Sequence, residues 1–180
     1  MAGELQLGGS TVATHTGSGA SAVVTIDNGV KFPAGHIVQT VFSVHTAESI
    51  FTSNTPTAVA NLTKAITLKT SNPYVLVILA LNSAGKNNSN TALGIKLTAD
   101  DSSSLDILLS DLIGYTNDTG NSFVSSHQAY MHNLTSDSAG TTITYTPKFY
   151  SAANSSHVYI NAKYVSGSRY SHIMLMEIQK

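Results

Sequence analysis

The sequence predicts an all-β fold: an antiparallel two-sheet, jelly-roll-like sandwich of about eight strands with an extended N-terminal arm. Three observations support this prediction. Stretches in which every second residue is apolar recur along the chain, as in residues 62–68 and 93–97. Clusters of Gly, Pro, Asn and Ser separate these stretches, and no interval between them has a convincing helical pattern. Residues 73–81 form a longer apolar run that the other strands can cover.

The first 30 residues are rich in Gly, Ser, Thr and Ala, with two short alternating pieces that hold too few apolar groups to fold alone. We therefore predict an N-terminal arm over residues 1–30 and a jelly-roll domain over residues 31–180. Two interpretations of the arm stay open: a floppy tail, or an anchor that adds strands to a partner's sheet edge. The anchor candidates are the apolar residues of the two pieces: Leu5, Leu7, Val23, Val24 and Ile26.

The run over residues 73–81 begins with a proline, is rich in β-branched residues and ends at an Asn-Ser-Ala-Gly turn. These features favour a strand buried on both faces, at the centre of the core. Tyr74, Leu76 and Ile78 are the core candidates in this strand. We expect Leu76→Asp to prevent folding, because an unpaired buried charge costs several kcal/mol.

The remaining strands follow from the same two signals, alternation and turn residues. Residues 105–113 fit the strand and helix periods equally poorly, and their all-β surroundings favour a strand. Pro147 cannot donate to a ladder, so its strand is expected to be an edge strand or to carry a bulge. The other predicted strands cover residues 36–44, 62–68, 93–97, 126–134, 141–150, 158–164 and 170–178.

Composition excludes several classes of function. Only 11% of the residues are charged, and 9 Lys and Arg against 10 Asp and Glu leave no basic surface for nucleic acid. There is no Cys, hence no disulfide and no thiolate site. The N-terminus lacks the pattern of a signal peptide, and no apolar run approaches the ~18 residues of a membrane span. We expect a soluble chain made in a cytoplasm, with no membrane insertion.

The sequence lacks a recognisable catalytic or metal-binding motif. Its 7 His include no His-x-His or His-Glu-x-x-His spacing, and no Gly-x-Ser-x-Gly turn is present. A group of acidic residues could ligate calcium, but it lacks the order of a calcium loop, which favours a solvated loop. These residues are Asp100, Asp101, Asp106 and Asp111. We expect a protein that is not an enzyme, with no catalytic residues, no metal and no cofactor.

Tyrosines are concentrated in the second half of the chain. They are consistent with packing between strands, with a subunit interface, or with a face on which sugars stack, because Tyr combines an apolar body with a polar tip. The residues concerned are Tyr130, Tyr145, Tyr150, Tyr159, Tyr164 and Tyr170.

Three motifs resemble a known family. They are Pro-Ala-Gly-His-Ile-Val-Gln at 33–39, Lys-Thr-Ser-Asn-Pro-Tyr-Val-Leu-Val at 69–77 and Ser-His-Ile-Met-Leu-Met-Glu-Ile at 171–178. With residues 138–145 and 158–161, they resemble the C-terminal domain of small virion structural proteins of tailed bacteriophages, especially marine and cyanobacterial phages. The family's Arg-Gly-Ser loop is replaced here around residues 99–104, so no ligand specificity is carried over.

The resemblance implies a compact jelly roll, commonly trimeric, on the outside of a virion assembled in the host cytoplasm. Our leading interpretation is a head decoration or cement protein that binds the major capsid protein through its arm. The alternative is a short tail-fibre or tip protein that binds a host surface glycan or receptor. We expect a homotrimer with the last strand near the three-fold axis, and Tyr170, Ile173 and Leu175 as interface candidates.

Overall fold

The computed structural model describes residues 3–7, 10–16, 23–26, 33–87, 90–117, 120–152, 156–163 and 167–180. The chain divides into two compact units, Met1–Pro33 and Ala34–Lys180. Within the described ranges, no helix is both long enough and apolar enough to cross a membrane.

The N-terminal unit contains a small antiparallel sheet. Its strands β1 (Gly3–Leu7), β2 (Ser10–Thr16) and β3 (Val23–Ile26) lie in the order β1-β2-β3, so β2 pairs with a neighbour on each side. The two alternating pieces of the sequence correspond to β1 and β3. The Thr-rich strand between them has few apolar residues and was not predicted.

The second unit is all-β, and its two antiparallel sheets form a sandwich, which confirms the predicted fold class. A 3-10 turn covers Ala60–Leu62. The strands are β4 (Ile37–His45), β5 (Ser49–Phe51), β6 (Thr57–Ala58), β7 (Lys64–Thr67), β8 (Tyr74–Lys86), β9 (Leu93–Ala99), β10 (Asp106–Ile113), β11 (Ser122–Asn133), β12 (Thr142–Ser151), β13 (Val158–Ile160) and β14 (Ser171–Ile178). The prediction missed β5 and β6, because strands of 2 or 3 residues are too short to show alternation. It included β13, which covers Val158–Ile160, in a longer predicted strand over residues 158–164.

One sheet has the order β4-β14-β8-β13-β5, with β11 also paired to β8, and the other has the order β10-β9-β12-β6, with β7 also paired to β12. The apolar run is therefore a central strand, as predicted, and the C-terminal β14 lies inside the sheet between β4 and β8. Residues 106–113 form strand β10, which confirms the strand interpretation of that segment.

The core lies between the two sheets. Strand β8 contributes Val75 and Val77, which are 0% and 1% exposed, and β9 contributes Ile95 from the opposite sheet. The rings of Phe51 and Phe149 stack across the sandwich with centroids 5.5 Å apart. The sandwich is thus closed by apolar contacts between side chains that alternate along each strand.

The prediction that β8 is buried on both faces is wrong. Its residues alternate, with Val75 and Val77 in the core, while Leu76 and Ile78 are half-buried on the opposite face and Tyr74 is 36% exposed. The core candidates therefore lie one position away from the core residues, because successive side chains of a strand point to opposite faces.

Pro147 lies in β12, which is neither an edge strand nor bulged at this residue. It faces Leu97 of β9 on one side. On the other side β7 pairs with residues 142–145 and β6 with residues 148–149, so no described partner stands opposite Pro147. A proline is tolerated inside this sheet because it falls where the ladder is interrupted.

Two glycines allow close approaches between strands. A Cβ on Gly94 would lie 2.3 Å from the Tyr150 ring, which covers this residue from the neighbouring strand. A Cβ on Gly85, whose φ is +150°, would lie 1.9 Å from the carbonyl oxygen of Ser122. Any larger residue at either position forces a neighbouring group to move.

Candidate functional site

A cleft lies beside the C-terminal end of β13. It consists of a cavity of about 340 Å³ lined by Thr46, Lys163, Arg169 and Tyr170 among others, and a cavity of about 260 Å³ lined by Lys163, Tyr159 and Ile50 among others. Lys163 lines both cavities. Their size is that of a site for a small polar ligand or part of a larger one.

Asn161 builds the base of this cleft. Its φ is +55°, a left-handed conformation that Asn tolerates better than most residues. Its Nδ2 donates to the carbonyl oxygens of His45 (2.8 Å) and Ala47 (3.1 Å), and its Oδ1 accepts from Ser171 Oγ at 2.8 Å. Its backbone N–H donates to the Asn82 carbonyl at 2.9 Å. Through its side chain and its backbone N–H, this one residue therefore joins the loop after β4 to β8 and to the start of β14.

The walls of the cleft combine cations with aromatic rings. The Lys163 backbone N–H donates to Glu48 Oε1 at 2.6 Å, which positions the lysine, and Tyr170 is 55% exposed. Tyr159 is nearly buried, and its hydroxyl accepts from Asn87 Nδ2 at 2.6 Å. A lysine and an arginine beside an exposed phenol ring can hold an acidic or hydroxyl-rich ligand, such as a sugar.

A buried polar network joins the two sheets elsewhere in the sandwich. His132 of β11 has its Nδ1 2.9 Å from the Tyr145 hydroxyl of β12 and its Nε2 3.7 Å from Asp101 Oδ2. All three residues are at most 6% exposed. The network therefore links the six-stranded sheet, the five-stranded sheet and the turn that follows β9.

Two acidic residues, Asp101 after β9 and Asp137 after β11, stabilise the turn that follows β9. The Asp101 carboxylate accepts from the backbone N–H groups of Ser103 (2.9 Å) and Leu105 (3.1 Å) and from the Ser103 hydroxyl. Asp137 accepts from Ser102 N at 3.3 Å and from its Oγ at 3.1 Å. The expectation of a solvated loop is therefore wrong for Asp101, which is 6% exposed.

The other three acidic residues of that group have separate environments. Asp100 Oδ1 accepts from the Thr144 backbone N–H at 2.5 Å. Asp106 forms an exposed ion pair with Lys96 at 3.4 Å, and Asp111 lies exposed in β10. In the part of the chain that the structure describes, no three His, Cys, Asp or Glu side chains are placed to hold a metal ion together.

Burial controls the protonation of the network. It lowers the pKa of His132, and the carboxylates of Asp101 and Asp137 offset this only in part. Burial favours the protonated form of Asp101, but the hydrogen bonds from Ser103 and Leu105 outweigh it, so the pKa of Asp101 is lowered. Burial also raises the pKa of Tyr145. At neutral pH the network therefore holds a neutral imidazole and a neutral phenol beside an ionised carboxylate.

A second buried carboxylate, Glu177 of β14, organises the loop before β8. It is 0% exposed and accepts from the backbone N–H groups of Lys69 (3.0 Å) and Thr70 (2.8 Å), from Thr70 Oγ1 (2.7 Å) and from Gln39 Nε2 (2.5 Å). Sequence reasoning assigned no role to Glu177 or Asn161. Both lie in segments that carry the family resemblance, and this position is the feature of the sequence that could have identified them.

The anchor candidates all belong to the N-terminal sheet. Leu5 lies in β1 and is 57% exposed, and Leu7 lies in the same strand. Val23, Val24 and Ile26 lie in β3. Their role in anchoring stays a prediction.

Two of the three trimer-interface candidates lie in the core. Ile173 and Leu175 are 0% exposed, since the odd-numbered residues of β14 face the other sheet. They are not available to a second copy, and their assignment to an interface is wrong. Tyr170, which precedes β14, is exposed and lies in the cleft with Asn161.

No protein-family model matches this sequence, and no curated protein matches it. Among solved structures, the chain is similar to one in the structure of infectious bursal disease virus Gx strain, with 10% identity and a TM-score of 0.35. The similarity covers 94% of this chain and 46% of that chain, so this chain spans less than half of the viral one. At this TM-score the similarity carries no argument about function, and nothing in these comparisons is specific to bacteriophages.

Proposed function

We propose that this chain is a structural protein of a virus particle: a homotrimeric head decoration or cement protein that binds the outside of a phage capsid. The observation that carries the proposal is the division of the chain into a small N-terminal sheet and a separate sandwich. This organisation suits a protein that attaches through one part and presents the other at the surface of a particle.

The N-terminal sheet supplies the means of attachment. Strands β1 and β3 are its edges, and an edge strand can pair with a strand of another protein through its main-chain groups. Leu5, exposed in β1, would add side-chain contact with the major capsid protein. Three arms on one trimer would raise the effective concentration of each attachment, so each contact can be weak.

This role requires no chemical step. The most catalytic-looking group, His132 with Asp101 and Tyr145, lies inside the sandwich and ties its sheets together. We therefore assign these residues to stability rather than to catalysis.

The cleft favours a second candidate function: a short tail-fibre or tip protein that binds a host surface glycan. Lys163, Arg169 and Tyr170 surround a cavity of suitable size. In that case the arm would attach to the tail, and the cleft would face the host.

Immunogold electron microscopy of intact virions tests the proposal. Gold distributed over the heads is the expected result, and gold confined to the tail would establish the second candidate. Virions that carry no gold, while the free protein in the same lysate is labelled, would contradict both.

A matched pair of variants tests the arm. Leu5→Asp should remove the protein from purified particles, whereas Leu108→Asp, at a sandwich residue of similar exposure (54% against 57%), should leave it bound. Equal retention of both variants would show that β1 is not the attachment.

A further inference from the structure

The surface of the six-stranded sheet that faces away from the core is unusually apolar. Strand pairing places its outward residues in three rows across β4, β14, β8 and β11. We call these residues the outer face: Val44, His172, Ala80 and His127 in the first row; Phe42, Met174, Ile78 and Ala129 in the second; Thr40, Met176, Leu76 and Met131 in the third.

The composition of the outer face is that of a binding surface. None of its residues is Asp, Glu, Lys or Arg, and it holds every Met of the chain except Met1. Phe42 is 64% exposed, Met131 is 46% exposed and Val44 is 41% exposed. Methionine side chains are flexible and polarisable, and they are common on surfaces that bind other proteins.

The apolar sequences of two strands predict protein on both of their faces, although the outer face is exposed in this protomer. Residues 75–81 of β8 and residues 173–176 of β14 are continuous apolar runs, a pattern typical of strands covered on both faces. In this protomer the opposite sheet covers the inner face, while Phe42 and Met131 on the outer face remain widely exposed. A second protein layer is therefore expected against this side of the sheet.

The outer face is large enough to form the apolar centre of such a contact, with residues of its rim supplying the remaining area. Four strands about 4.8 Å apart and three rows about 6.8 Å apart give roughly 400 Å². An apolar patch of about 300–600 Å² is as large as the largest on a typical monomer and is often functional. A standard interface buries about 800 Å² per partner, and its rim is usually polar. Here the rim includes Tyr74, whose ring lies 4.8 Å from the Lys180 ammonium.

We propose that the outer face is the contact between copies of this chain. An uncharged face is complementary to itself, whereas a partner recognised by charge would find no ion-pair partner on it. The contact places β14 at the subunit interface through Met174 and Met176, on the face opposite Ile173 and Leu175. It is separate from the attachment to a capsid and holds whether or not that attachment exists.

The mass of the full-length chain, measured by native mass spectrometry and analytical ultracentrifugation at micromolar concentration, tests the proposal. We expect an oligomer that Phe42→Glu converts to a monomer, with the dissociation constant raised at least about 100-fold. Leu112→Glu is the matched control, because Leu112 is 65% exposed on β10 of the other sheet. It should leave the oligomer intact, and both variants should retain the wild-type circular dichroism.

Several outcomes would overturn the proposal. One is a monomeric wild-type chain, which is also the result expected if residues 1–33 of the same chain cover the face. Another is an oligomer that survives Phe42→Glu, and a third is an oligomer that Leu112→Glu dissociates, which would place the contact on the other sheet.

Methionine methyl NMR provides a second readout. With methyl-¹³C methionine, the resonances of Met131, Met174 and Met176 should shift together as the wild-type protein is diluted. In the Phe42→Glu variant, these resonances should have the chemical shifts of the dilute wild-type protein at every concentration. If these methyl resonances do not shift on dilution while the measured mass of the oligomer changes, the contact lies elsewhere on the sandwich.

Discussion

The two faces of the central strands β8 and β14 have similar apolar character and different environments. The inner residues are at most 1% exposed, whereas the outer residues are only half-buried. The inner set is Val75, Val77, Ile173 and Leu175, and the outer set is Leu76, Ile78, Met174 and Met176. Apolar character by itself therefore does not identify which side of a strand faces the core.

The outward side of the five-stranded sheet differs from the outer face. It carries the Lys96–Asp106 ion pair and the half-buried Lys148, which faces Lys96 across β9 and β12. Leu108 and Leu112 of β10 are also exposed in this sheet, so its surface mixes charged and apolar residues, whereas the outer face carries no Asp, Glu, Lys or Arg. The predictions below test this difference between inner and outer positions.

The largest effect is expected from a charge on the inner side of β8. Val77→Asp should prevent folding, because an unpaired carboxylate in the core costs several kcal/mol, comparable with the stability of a whole domain. Ile78→Asp, one residue further on the outer face, should fold. Leu76→Asp, also on the outer face, should fold as well, whereas burial of β8 on both faces would have predicted that it unfolds. Circular dichroism and thermal melting distinguish the variants, and a cooperative melt of Val77→Asp would contradict the assignment of faces.

A smaller effect is expected at the end of β14. Glu177→Gln should lower the free energy of unfolding by about 2–3 kcal/mol, because the charged acceptor of several hydrogen bonds is replaced by an amide with only one acceptor oxygen. Met176→Gln, on the outer face, should cost less than about 1 kcal/mol when the protein is monomeric. Urea denaturation at low protein concentration measures both free-energy changes. Equal losses would mean that the Glu177 carboxylate does not hold the Lys69–Thr70 loop.

Acidification should destabilise the sandwich through its inner His132. The pKa of this group is lowered by burial from the ordinary value of 6.5, so the unfolded chain binds a proton first as pH falls. Its contribution to stability is complete above pH 6.5 and is lost as pH falls from there through the pKa of the folded state. Burial likewise lowers the pKa of His45, and the lowered pKa of Asp101 adds a further loss near and below its ordinary value of 3.8.

The variant His132→Asn isolates this contribution. It should reduce the slope of unfolding free energy against pH below 6.5 by up to about 1.4 kcal/mol per pH unit, the value for one proton. The exposed His36, changed to Asn, serves as the control. Urea midpoints between pH 5 and pH 7 give the slopes, and an unchanged slope in His132→Asn would remove this residue from the pH response.

The smallest effect is expected on the charged outward side. Asp106→Asn breaks an ion pair whose side chains are 39% and 56% exposed, so it should change stability by no more than about 0.5 kcal/mol, and less in high salt. A loss above about 1 kcal/mol would show that charge on this surface is structural.

Sequence reasoning succeeded where a signal extends along one strand. Alternation and turn residues identified the fold class, the continuous apolar run identified the central position of β8, and the all-β surroundings favoured a strand over residues 105–113. Reasoning failed where the answer depends on a neighbour in space. Pro147 is tolerated because β7 and β6 leave a gap opposite it, and Asp101 is buried because Ser103, Leu105 and His132 surround it.

The sequence by itself determined that this protein is a β-sandwich with a distinct N-terminal segment, because period-two alternation and turn residues are local properties of the chain. Tertiary structure alone decided which side of each apolar strand is the core. In β8 and β14 both sides are apolar, and a shift of one residue exchanges them. Only the pairing of β14 between β4 and β8, and the packing of the second sheet on one side, turn Ile173 inward and Met174 outward.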